Sequence, residues 1–147
     1  MNIAQNKQLL QRIFADMSSG DSRLLVESMS ENVRWHMIGS TRWSKTYEGK
    51  QDVLNGLFGR LRPLFAGRIK MIAHRFIAED DFVVVEARGD NLTKAGAAYC
   101  NTYCFIFRLA NGELQEITEY LDTELVTAAL NEEDEQAALS SGSSAWE

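Results

Sequence analysis

The sequence predicts an α+β domain, a curved antiparallel sheet wrapped over three N-terminal helices so as to leave a conical pocket. Apolar residues recur at helical spacing as far as about residue 61. From Arg68 the period drops to two, and turn signals divide the rest into long strand-like runs. Helices first and an antiparallel meander afterwards define the class, and such a cone is a natural place for a small ligand.

Leu9, Leu10, Ile13, Phe14 and Met17 share one face of a first helix, which "SSGD" at 18–21 stops. Asp21 is placed to cap a short second helix carrying Leu24, Leu25 and Met29. "NVRWHMIG" (32–39) reads as a short strand and "STRWSKTYEG" (40–49) as a loop with two aromatics. A third helix from Lys50 buries Val53, Leu54, Leu57, Phe58 and Leu61 and ends near Pro63. Four runs follow: "RIKMIAHRFIA", "FVVVEARGDNL", "AAYCNTYCFIFRL" and "ELQEITEYL". Glu79-Asp80-Asp81, Lys94-Ala95-Gly96 and Asn111-Gly112 are the turns between them, Asn-Gly being the strongest short hairpin signal.

Composition narrows the function classes. Residues 131–147 carry five of the 21 acids and none of the 15 bases, so residues 1–130 hold 16 acids against 15 bases. A near-neutral body has no broad basic footprint for nucleic acid. Arg60, Arg62, Arg68, Lys70 and Arg75 interleave with Ile69, Met71, Ile72 and Phe76, and read as solvated edge charges. No apolar run approaches the roughly 20 residues of a membrane helix, and the N-terminus lacks a signal-peptide pattern, so a cytoplasmic protein is expected. Cys100 and Cys104 read as free thiols, and with His36 and His74 far apart no metal site is expected. The acidic, Ser/Gly-rich segment 131–147 reads as a flexible tail with a short helix at 132–139.

The order of elements, with "WHMIGS…TYEGKQDVL", "YCNTYCFIFRLANGEL" and "EYLDTELV", resembles the SnoaL-like and ketosteroid-isomerase-like branch of the nuclear transport factor 2-like superfamily. The resemblance covers about residues 5–130. It implies a cystatin-like cone, usually homodimeric, and a fold shared by polyketide cyclases, isomerases, epoxide hydrolases, dehydratases and non-catalytic carriers. Function must therefore be argued from the site.

Alternation puts Tyr99, Asn101, Tyr103, Phe105 and Phe107 on one strand face, the better pocket wall. Matching "ITEYLD" to the family puts Ile117, Glu119 and Leu121 inside. Trp35, Phe58 and the loop aromatics Trp43 and Tyr47 complete the expected ligand-binding set, with Trp43 and Tyr47 at the mouth or packed on the third helix.

His36 falls where the isomerases keep a proton-shuttling carboxylate, and a histidine suits that task near neutrality. The other reading is a structural histidine at a strand end. Glu119 falls where the epoxide hydrolases carry an acid; apolar surroundings would raise its pKa and suit it to acid or base work. Arg88-Gly89-Asp90 with Glu119 resembles the hydrolases' Asp-Arg-Asp layout, provided that Arg88 and Asp90 face inward. Alignment on Glu86 instead turns both outward, and Trp35 and Met37 replace the residues that hold the attacking water there. The same tripeptide on an exposed loop would be an adhesion tag. The isomerases' two enolate-binding donors correspond to Ile13 and Phe105, which cannot donate.

The expectation is a cofactor-independent enzyme acting on a small, largely apolar molecule, with His36, Glu119, Arg88 and Asp90 as catalytic candidates. The alternative is a non-catalytic binding or assembly protein of the same fold. A homodimer through the outer sheet face is expected, because Thr102, Cys104 and Ile106 would otherwise leave an apolar patch exposed.

Overall fold

The computed structural model describes residues 2–140. Helix α1 (Ile3–Met17) begins in a capping box, Asn2 accepting from the Gln5 N–H while the Gln5 side chain returns to the Asn2 N–H. Its buried face, Leu10, Ile13 and Phe14, packs onto the concave side of the sheet, where the Phe14 ring lies 5.9–6.1 Å from Phe76, Phe105 and Phe107. Helix α2 (Arg23–Ser28) follows, the Asp21 carboxylate accepting the Arg23 N–H. Met29 already belongs to β1 (Met29–Met37), so the first strand starts earlier than its sequence suggests. The following loop contains a short strand, β2 (Thr46–Glu48).

The third helical segment is wound unevenly: α3 (Lys50–Asp52), a π turn over Val53–Phe58, α4 (Gly59–Leu61) and a 3₁₀ turn over Arg62–Leu64. Val53 and Leu57 are buried, and Phe58 meets Trp35 edge to face at 5.3 Å. Four long strands then form the meander: β3 (Met71–Glu79), β4 (Phe82–Gly89), β7 (Thr102–Ala110) and β8 (Glu113–Leu121), with the short pair β5 (Asn91–Leu92) and β6 (Ala98–Tyr99) between β4 and β7. The Asn111-Gly112 hairpin has both residues at positive φ, 53° and 76°, as that turn requires. Helix α5 (Thr123–Ala129) is capped by Asp122, which accepts the Glu124 and Leu125 N–H groups.

The main sheet runs β2-β1-β8-β7-β4-β3. All its pairings are antiparallel except β1 with β8, which is parallel. Two rows cross its concave face. One is Tyr47, Trp35, Ile117, Phe107, Val83, Ala78; the next is Met37, Glu119, Phe105, Val85, Phe76. A β-bulge around His74 lets β3 join the second row: Ala73 faces Ala87, yet Arg75 already faces Glu86. Unbroken register from the Glu79–Phe82 end would instead set Ala73 opposite Arg88, on the convex face. Helix α6 (Glu132–Ser140) closes the described chain; the rest of the expected tail, residues 141–147, lies outside the described residues.

Candidate functional site

Glu119 lies on β8 in the concave row between Met37 and Phe105, and is 6% exposed. Trp35 Nε1 donates to its Oε1 at 2.9 Å. Burial among these groups raises its pKa from 4.5 to about 7, the indole N–H pulling weakly the other way. Among the described residues no cation opposes the desolvation, which is why the shift is large.

Around this carboxyl stand three tyrosines. Burial pushes Tyr47 and Tyr99 up to about 12 and Tyr103 well above 10, and the neighbouring Glu119 charge adds to each shift. All three stay protonated at neutral pH, which leaves Glu119 to titrate there. Tyr103 stacks on Phe105 at 5.3 Å. Asn101 is fully buried, its Oδ1 accepting the Thr102 and Asp122 N–H groups. Its Nδ2 donates to Tyr99 Oη at 3.0 Å and to the Asp122 carbonyl at 3.1 Å. This amide ties the break between β6 and β7 to the start of α5, and so holds Tyr99 beside the site. Leu121 is half-buried one turn of the alternation beyond Glu119, and Ile117 is fully buried.

His36 does not join Glu119. It alternates with the buried Trp35 and Met37, is exposed on the convex face, and its Nδ1 lies 2.8 Å from Thr46 Oγ1. Arg88 and Asp90 are corrected in the same way. With Val85 opposite Phe105 and Ala87 opposite Tyr103, period two turns Glu86 and Arg88 outward. Arg88 and Asp90 are exposed, so the inward layout needed for a hydrolase-like triad with Glu119 is absent. The Arg-Gly-Asp tripeptide is not at a loop tip either, since Arg88 and Gly89 pair with both neighbouring strands or bond to them. Ile13 and Phe105, both buried, give the interior no donor at those positions.

Trp43 and Tyr47 are both fully buried. Tyr47 Oη donates to the Trp43 carbonyl at 2.7 Å, and Trp43 Nε1 donates to the Leu130 carbonyl at 2.8 Å. Above them is a cluster that local sequence gives no sign of. Arg60 donates to both oxygens of Glu135 on α6 at 3.0 and 3.1 Å, and Arg42 donates to Oε1 as well. Both guanidinium groups also lie over the Trp43 ring, at 5.1 Å for Arg42 and 4.3 Å for Arg60. The hydrogen bonds from Arg60, then those from Arg42, hold the Glu135 carboxyl below its usual pKa. In sequence, Arg60 reads as an edge charge and Glu135 as one acid of a tail.

Two surface cavities flank the cone. One of about 200 Å³ lies between Leu64, Thr93–Ala95 and the α5–α6 corner. The other, about 250 Å³, is lined by Arg34, His36, Thr46, Glu116, Ile117 and Thr118. Glu119 lines neither. Among the described residues no group of three His, Cys, Asp or Glu side chains is placed to hold a metal ion, and no helix is long and apolar enough to cross a membrane.

Solved structures share this architecture. Bal32a, from a soil-derived mobile gene cassette, is 25% identical, with 87% of this chain and 96% of that one covered and a TM-score of 0.72. A protein of Jannaschia sp. CCS1, provisionally named a SnoaL-like polyketide cyclase, is 19% identical over 90% and 96% of the two chains, TM-score 0.71. A Xanthomonas campestris protein of unknown function with a cystatin-like fold is 20% identical over 89% and 99%, TM-score 0.75. No curated protein matches the sequence. The family model for the SnoaL-like domain matches residues 10–117, the stretch from the face of α1 to the β8 residue that packs beside Trp35. The chain therefore belongs to the SnoaL-like domain family, with the nuclear transport factor 2-like fold.

Proposed function

We propose that the protein is a cofactor-independent enzyme of the SnoaL-like group in which Glu119 takes and returns a proton on a small, largely apolar molecule. The observation that carries this reading is one carboxyl group, buried on an aromatic wall, opposed by no cation and poised at about 7. A base whose pKa lies near the working pH combines availability with proton affinity. Trp35 keeps one oxygen oriented, leaving the other for the substrate. Tyr99 and Tyr103, held protonated beside Glu119, would serve as donors to negative charge that develops on the substrate.

A screen of epoxides, enones and polyketide-like aromatics tests the proposal. Glu119→Gln is expected to lower turnover of any substrate found by about 10²–10⁴-fold, the usual worth of a positioned acid or base. Wild-type kcat/KM should follow one ionisation near pH 7. Full turnover by the Gln variant overturns the assignment.

The second reading is a non-catalytic binding or assembly protein. Its assembly form, in which the aromatic face simply makes a core, is favoured by the packing of Trp43, Tyr47 and Phe105, each 0–2% exposed, which fill much of the cone and leave less room for a ligand. Bound ligand recovered unchanged, with no turnover by the wild type, would establish it.

We also propose a homodimer through the convex face. There His36, Thr118, Ile106, Val84 and Ile77 form a row across the sheet, and Ile77, Phe82 and Tyr120 are 52%, 43% and 44% exposed. Sedimentation should give a dimer at micromolar concentration; a monomer there contradicts the proposal.

A further inference from the structure

Arg42 and Arg60 converge on one carboxylate, that of Glu135 on α6. Arg60 meets Glu135 as a fork, through Nε and Nη2, which is the geometry in which a guanidinium recognises a carboxylate best. Arg42 adds a second cation, so the three groups together retain one positive charge. The flat ring beside this carboxylate is the Trp43 indole, over which both guanidinium groups lie and which is fully buried while Glu135 is in place. Continuing inward come Tyr47, bonded to the Trp43 carbonyl, then its cross-strand neighbour Trp35, then Glu119.

The helix that carries this carboxylate is exposed over most of its length. Only Glu135 and Ala138 of the nine residues of α6 are buried, so the helix brings little apolar area to its seat. An internal carboxylate on a lightly packed helix is what an external carboxylate would have to displace. We propose that Arg42 and Arg60 form a binding site for the carboxylate of a small acid with a flat apolar body, and that Glu135 is its built-in occupant, so that α6 leaves as the acid enters. The apolar body of the acid would then take the space that α6 vacates beside the Trp43 ring. This deepens the proposed function by naming a substrate class; it rests on that function only for the fate of the acid, not for its binding.

The test uses 1-naphthoate and its uncharged counterpart 1-naphthamide, titrated calorimetrically into the full chain. Glu135→Gln removes the internal competitor and is expected to bind naphthoate at least about tenfold more tightly than the wild type, roughly the worth of one charge-assisted bond. It should also prefer naphthoate to naphthamide by a similar factor, and adding Arg60→Gln should abolish that preference. Glu133→Gln removes the same charge from an exposed position of α6 and should leave both affinities at the wild-type value. In the wild type, naphthoate should speed amide exchange across residues 132–140. The proposal is overturned if Glu135→Gln binds acid and amide alike, if Glu133→Gln tightens naphthoate equally, or if naphthoate leaves exchange of α6 unchanged. Naphthoate binding should survive Glu119→Gln, so a failure of the proton-transfer reading and a failure of this one are separable.

Discussion

Glu119 and Glu135 are almost equally hidden, at 6% and 7% exposure, yet their carboxyl groups are driven in opposite directions. Glu119 has one indole N–H and a wall of rings, and its pKa rises to about 7. Glu135 has two guanidinium groups, and its pKa falls. Burial therefore does not decide ionisation here; the charge of the partner does. One glutamate is left ready to exchange a proton, while the other is kept ionised as a fastener.

The largest effect that sharpens this contrast concerns stability at Glu119. Its folded pKa lies above the unfolded value, so the native state holds the extra proton between about 4.5 and 7 and stability falls as the pH rises through that window. The full cost above pH 7 is about 3 kcal/mol. Glu119→Gln keeps an acceptor for Trp35 and cannot ionise. In urea unfolding it should match the wild type at pH 4 and exceed it by about 3 kcal/mol at pH 8; equal stability at both would mean that the carboxyl is not desolvated.

Glu135 should show the opposite slope. A lowered folded pKa contributes stability above the ordinary carboxylate range, and that stability is lost as the pH falls through the lowered value. Arg60→Gln should cost about 1–2 kcal/mol at pH 7, discounted because Arg60 is 39% exposed, and the gap from wild type should close in acid. Amide exchange should place the loss in α6; a global loss instead would show that the clamp holds the whole cone.

The smallest effect belongs to the convex face. His36→Ala removes a side chain whose partner is the exposed-edge Thr46 hydroxyl, and stability should change by no more than about 0.5 kcal/mol. A large loss of turnover with that substitution would bring His36 back into the chemistry by a route that does not pass through Glu119.

What the sequence discloses here depends on how far a signal reaches. The aromatic alternation of β7 is a local pattern, whereas the inward side of β8 follows from the family resemblance of "ITEYLD"; the structure has Tyr103, Phe105, Phe107, Ile117 and Glu119 on the concave face. The orientation of Arg88 and Asp90 is not local: it depends on which β7 residue stands opposite Val85, and a slip of one position inverts it. The bulge at His74 likewise shifts the parity of β3 with no glycine or proline to announce it. The pairing of Arg42 and Arg60 with Glu135 spans 93 and 75 residues, and charged residues look alike in sequence whether solvated or clamped.

The parallel pairing of β1 with β8 also sets an order of events during synthesis. Trp35 and Glu119 are 84 residues apart, which at ribosomal speed is on the order of 10 s of elongation. Until β8 emerges, β1 has only the three-residue β2 beside it, and Val33, Trp35 and Met37 lack the strand that covers them. Long-range pairing of this kind is slow to form and leaves a sticky edge while it is awaited. The Glu119 carboxyl is thus enclosed only after β8 has been made, so a partly made chain has α1 and α2 before it has the strand that buries Trp35 against Glu119.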